Sequence, residues 1–139
     1  MAQAPARSGR AATRVGPALT WFAVLGGAIV WSVYTVVLWG LDEIACSVAA
    51  APTGPELLGV PFVPVAAVIT AAAAAVAGCA ALAAWLVLRA ARSAKGTLDE
   101  RRVERLRLMA VVGLVSDVLY LAGIVYVGIA LAYFGPCTR

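Results

Sequence analysis

The residues able to do chemistry in this chain are few. Cys46, Cys79 and Cys137 carry thiols, Asp117 carries a carboxyl inside a long apolar stretch, and there is no histidine. Thiols can pair as a disulfide, exchange with other thiols or hold a soft metal. An intramembrane carboxyl can hold a proton or a cation, or fix a helix contact. The commonest general base and metal ligand is missing. No second carboxyl accompanies Asp117 within its apolar stretch, and Gly26-Gly27 sits inside another such stretch with no strand before it, so neither acid–base pair nor phosphate loop is present. A thiol oxidoreductase working through Cys46 and Cys137 is the surviving enzymatic option, and no nearby residue lowers a thiol pKa. We therefore expect a non-enzyme with no cofactor and no metal site.

The elements that position these residues are legible from charge. Of 139 residues, 63% are hydrophobic and 13% charged, against roughly 25% charged in soluble domains. Three stretches carry no charge: Val15 to Leu41 (27 residues), Leu57 to Leu88 (32) and Val118 to Thr138 (21). A spanning helix needs about 20 apolar residues. The expected class is an all-α membrane protein of three transmembrane helices, spanning about 17–41, 62–90 and 106–134, within one domain over 15–139. Residues 1–14 read as a disordered basic tail. A first uncharged run of 27 residues is too long for the core of a signal peptide, about 7–15 residues.

Boundaries follow from local chemistry. Pro17 suits a first helical position, Asp42 and Glu43 mark an exit into water, and Pro52 to Glu56 has turn chemistry. Arg89, Arg92, Lys95 and Gly96 suit a helix C-terminus, and Thr97 to Glu100 forms a capping-box pattern. A tight cytoplasmic hairpin is expected between the second and third helices. The third should run from Leu98 to Phe134 and stop at Gly135-Pro136, its first charged turns standing in the headgroups.

Ten of the eleven Lys and Arg residues lie in the tail or between Arg89 and Arg107, and only Arg139 lies elsewhere. The bias places the N-terminus and the hairpin in the cytoplasm and the C-terminus outside. It is a topology signal and not one for nucleic acid. A multi-pass protein of a bacterial cytoplasmic membrane is expected.

With that topology Cys46 and Cys137 lie on the same outer side at similar height, where a disulfide persists in an oxidising periplasm. A Cys46–Cys137 disulfide is the expected reading. Redox or metal work lacks a CxxC spacing, and two free thiols are the remaining alternative. Cys79, deep in the second span, reads as a buried small hydrophobe.

Asp117 lies ten residues past Arg107, about 15 Å along a helix. Helical spacing gathers Gly113, Ser116, Asp117, Tyr120 and Gly123 on one face, and Thr20, Ala23, Gly27, Trp31 and Tyr34 on a face of the first helix. The two faces are expected to meet, with Asp117 at the level of Ala23 to Gly27 and of Cys79. The second helix is rich in alanine, which lets helices approach closely. Three helices cannot surround it, so other membrane subunits or self-association are expected besides the bilayer.

Gly26 to Trp31, Cys46 beyond the first helix, and Tyr133-Phe134-Gly135-Pro136-Cys137 resemble a group of small bacterial three-helix membrane proteins. That group tends to carry a Gly-Pro-x-x-Trp run, a cysteine after the first helix and a terminal Pro-Cys, and its genes often lie beside those for haem–copper cytochrome oxidase. The resemblance implies an accessory or assembly subunit of a respiratory terminal oxidase. This chain has Gly27 where the group often has proline, and no histidine follows Trp31, which argues against direct haem or copper ligation. The competing reading is a small oligomeric transporter or channel, with Asp117 as its intramembrane polar site and Ser116, Thr70, Ser32 and Thr35 as further polar groups. A phage holin of three spans would need the opposite orientation.

Overall fold

The structure is a computed structural model that describes residues 17–48, 56–57, 59–93, 100–134 and 137. Three helices account for nearly all of these: α1 (Pro17–Val48), α2 (Phe62–Ser93) and α3 (Glu100–Phe134). All three are long and apolar enough to cross a membrane, over Ala18–Ser47, Phe62–Arg92 and Val103–Phe134. At 1.5 Å per residue each is longer than a hydrocarbon core of about 30 Å.

The third helix stops at Phe134, just before Gly135-Pro136. The tail, the hairpin signals at Lys95 and Gly96, and the capping residues Thr97 to Asp99 lie outside the described residues. Helix α1 runs seven residues past the Leu41 end expected from its charges. Asp42 and Glu43 are not helix breakers, and Ala45 in the added turns is fully buried. Tertiary contact therefore carries the helix beyond its apolar stretch. Between α1 and α2 a short ladder, β1 (Glu56–Leu57) and β2 (Val60–Pro61), departs from the all-helix expectation. It pairs antiparallel, Glu56 with Pro61 and Leu57 with Val60. Gly59 has φ 81°, the left-handed region that glycine adopts without cost. Pro64 falls in the first turn of α2, where proline is tolerated.

Each helix touches both others, α2 and α3 most extensively. The buried side chains form two groups. Tyr34, Leu38, Ala45, Phe62, Ala66, Ala77 and Ile124 gather toward one end. Ala23, Ala83, Ala84, Val87, Leu88 and Ala110 gather toward the other. The first group adjoins the Cys46–Cys137 disulfide, and the second adjoins the arginines of α2 and α3, so the two ends are here termed the disulfide end and the basic end. Large apolar side chains cover the outside, among them Trp21, Val36, Val68, Leu119 and Tyr126. An apolar surface of this extent suits lipid and not water.

Candidate functional site: a carboxyl between two helices

The layer between the two buried groups holds Asp117. It is the buried charged residue of the described chain, with no exposed surface. Its Oδ1 accepts a hydrogen bond from the Gly27 backbone N–H at 2.9 Å. Only a glycine permits this approach: a Cβ on Gly27 would collide with Oδ1 and stand 3.0 Å from the Asp117 Cα. One turn toward the basic end, a Cβ on Gly113 would collide with the Ala23 carbonyl oxygen and stand 3.2 Å from the Val24 Cα. The backbones of α1 and α3 therefore touch. Toward the other end, a Cβ on Gly123 would stand 2.9 Å from the Trp31 ring. These contacts run in the same order along α1 and α3, so the two helices are parallel and α2 returns between them.

The structure thus brings Gly27, Trp31 and Tyr34 of α1 against Gly113, Asp117, Tyr120 and Gly123 of α3. Trp31 lies 6.3 Å from Tyr120 and 6.2 Å from Tyr34, ring centre to ring centre. Ser116 is half-buried beside Asp117. Asp117 Oδ2 is buried and has no hydrogen-bond partner among the described residues. The third helix of the layer enters through Ala80, whose Cβ would stand 2.9 Å from a Cβ on Gly26.

Three further hydroxyls of the apolar helices are occupied within their own helix. Ser32 donates to the Ala28 carbonyl and Thr35 to the Trp31 carbonyl, each at 2.9 Å. Thr70 donates to the Ala66 carbonyl at 2.8 Å. Tyr34 reaches across the bundle, its hydroxyl 3.1 Å from Thr70 Oγ1 and 3.3 Å from the Ile124 carbonyl oxygen. Sequence spacing placed Tyr34 on the correct face but did not reveal these partners. The signal was available in Thr70 and in Gly128, which leaves room for the Thr70 side chain.

Cys46 and Cys137 form a disulfide with Cα atoms 5.7 Å apart. It ties the end of α1 to the chain just beyond α3. The Asp42 carboxylate lies one turn below, its Oδ1 3.7 Å from Cys46 Sγ. This is a contact and not a hydrogen bond, because a bridged sulfur has no proton to donate. Cys79 corrects the sequence reading: it is exposed, not buried. Ala77, Ala80, Ala83 and Ala84 face inward on α2, and position 79 falls on the opposite side. Lipid can cover an apolar thiol as well as a protein interior can.

A cleft of about 210 Å³ opens between α1 and α3 on the disulfide side of Trp31. Trp31, Tyr34, Leu38 and Trp39 form one wall, Val127 and Leu131 the other, and Asp42 stands at its end. Among the described residues, no group of three or more Cys, Asp or Glu side chains could hold a metal. Comparison of the chain with family models, with curated proteins and with solved structures finds no match.

Proposed function

We propose that the chain is a non-catalytic accessory or assembly subunit of a membrane complex, held rigid by its own helix contacts. One observation carries the reading: the intramembrane carboxyl is spent on the Gly27 backbone between α1 and α3. Ser32, Thr35 and Thr70 likewise bond within their own helices, which leaves Ser116, beside Asp117, as the one other hydroxyl of that set open to a permeant ion. The outward side of α2 supports a partner. Ala67, Ala71, Ala72 and Ala75 are exposed there, and such small side chains allow another helix to approach closely.

The lysine and arginine bias supports a cytoplasmic N-terminus and an outer disulfide, as in a bacterial cytoplasmic membrane. The resemblance carried by Gly26 to Trp31, Cys46 and the terminal Pro136-Cys137 supports a respiratory terminal oxidase as the complex. The test is co-purification in mild detergent through a tag on the N-terminus, with a haem absorbance spectrum of the same fraction. Stoichiometric oxidase subunits with haem bands are expected. A colourless fraction holding this chain alone would overturn the reading.

The unpartnered Asp117 Oδ2 favours a second reading, a small oligomeric transporter in which that oxygen takes a proton or a cation. Ion flux into liposomes containing the pure protein, abolished by Asp117→Asn, would establish it. Absence of flux across protons and alkali cations would dismiss it.

A further inference from the structure

The cleft between α1 and α3 has a polarity that neither reading uses. Its floor is Tyr34, nearly fully buried. The hydroxyl donors that line it are engaged: the Tyr34 hydroxyl with Thr70 and the Ile124 carbonyl, the Thr35 hydroxyl with the Trp31 carbonyl. From Trp31 to Asp42 the slot follows three turns of α1, about 16 Å at 1.5 Å per residue. The charged side chain in its lining is Asp42, half-buried at the disulfide end. Because α1 continues to Val48, Asp42 is held on a helix beneath the disulfide, pointing into the mouth of an apolar slot.

The slot is narrow, about 210 Å³, and follows the helix axis, a shape that suits an alkyl chain. Charge selects the head. A carboxylate only accepts hydrogen bonds, so a head seated on Asp42 must donate, which a quinone carbonyl cannot do. The chain from Asp42 to Val60 holds Asp42, Glu43 and Glu56 with no Lys or Arg, and Arg139 is the one basic residue of this end. An anionic head would be repelled there. Trp39, largely exposed on the rim, adds an aromatic face of the kind that attracts ammonium groups.

We propose that this slot binds one phospholipid with an ammonium head, phosphatidylethanolamine, its alkyl chain along Trp31 to Leu38 and its ammonium on the Asp42 carboxylate. The site is separate from Asp117 and independent of any partner subunit.

Bromine quenching of tryptophan tests it in the full chain. In a Trp21→Phe/Trp85→Phe variant the remaining emitters, Trp31 and Trp39, both line the slot. The protein is placed in vesicles of equal phosphatidylethanolamine and phosphatidylglycerol, with bromine on the chains of one lipid or the other. Brominated phosphatidylethanolamine should quench more strongly by about threefold, the preference that one partly exposed ion pair supports. Asp42→Asn should bring the ratio to one. Val127→Phe, which fills the slot from the α3 side, should lower quenching by phosphatidylethanolamine in a protein whose helicity is unchanged. Equal quenching by the two lipids, stronger quenching by phosphatidylglycerol, or a preference that survives Asp42→Asn would overturn the proposal.

Discussion

At the basic end the helices meet through alanines and glycines. Ala23, Ala83, Ala84 and Ala110 pack there beside Val87 and Leu88, and Gly113 lies against the backbone of Ala23. At the disulfide end the large side chains Tyr34, Leu38, Phe62 and Ile124 are buried beside Ala45, Ala66 and Ala77, and the two parallel helices stand far enough apart to leave a cleft. Small side chains bring backbones together, and in lipid that dispersion contact is a main source of helix association, because lipid tails are as apolar as leucine. Large side chains fill more volume but hold the helices apart. The wide end then needs other ties, and it has two: the Tyr34 hydroxyl bridging α1 to α2 and α3, and the covalent Cys46–Cys137 link. Asp117 sits where one mode gives way to the other.

This contrast can be broken most strongly at the wide end. Replacing Cys46 and Cys137 by serine removes the closure of a loop with separation 91. The chain-entropy ceiling for such a loop is roughly 4–5 kcal/mol, and membrane insertion, which already confines the unfolded chain, brings the loss below it. Amide hydrogen exchange in micelles should quicken from Leu38 to Val48 and leave the Ala23 and Ala110 region protected. Uniform quickening would show that the two ends are one cooperative unit. In the unsubstituted protein, alkylation should count one reactive thiol before reduction and three after it.

The narrow end should break next. Gly113→Ala places a methyl against the Ala23 carbonyl, a backbone atom that cannot rotate away. A destabilisation of about 1–3 kcal/mol is expected, the usual cost of overpacking, read by unfolding in mixed micelles of increasing SDS fraction. Gly123→Ala meets only the Trp31 ring, and its effect should be smaller.

A finer test separates the roles of Asp117. Asparagine retains an acceptor for the Gly27 N–H, whereas alanine does not. Asp117→Ala should cost on the order of 0.6 kcal/mol and at most about 1.7, the mean and maximum measured for hydrogen bonds between membrane helices, and should weaken co-purification with the partner. Asp117→Asn should keep both near the unsubstituted level. Equal damage from the two variants would remove the contact role.

The smallest effect serves as the control. Nothing lies within 4 Å of a Cβ on Gly78, so Gly78→Ala should change stability by less than about 0.5 kcal/mol. A larger loss in the native membrane, absent in the purified chain, would place a partner against the outward face of α2.

Much of this arrangement could be read from residue types alone. Three uncharged stretches longer than a bilayer requires left helices as the way to satisfy the backbone in lipid. The gap of ten residues between Arg107 and Asp117 set the depth of the carboxyl, and the 3.6-residue period gathered Gly113, Asp117, Tyr120 and Gly123 opposite Gly27, Trp31 and Tyr34. Two cysteines beyond helices of like direction could be paired because the chain has few ways to bring those ends apart. Rotation and reach were decided only in the tertiary structure. An all-apolar helix has no polar face to orient it, so composition did not tell that Cys79 faces outward and Ala80 inward. Helix α1 continues through Asp42 and Glu43 because Ala45 is buried and Cys46 is bridged, and both depend on residues far along the chain. Whether Asp117 meets a side chain or a backbone depends on the missing Cβ of Gly27, whose value appears only when the two helices lie in contact.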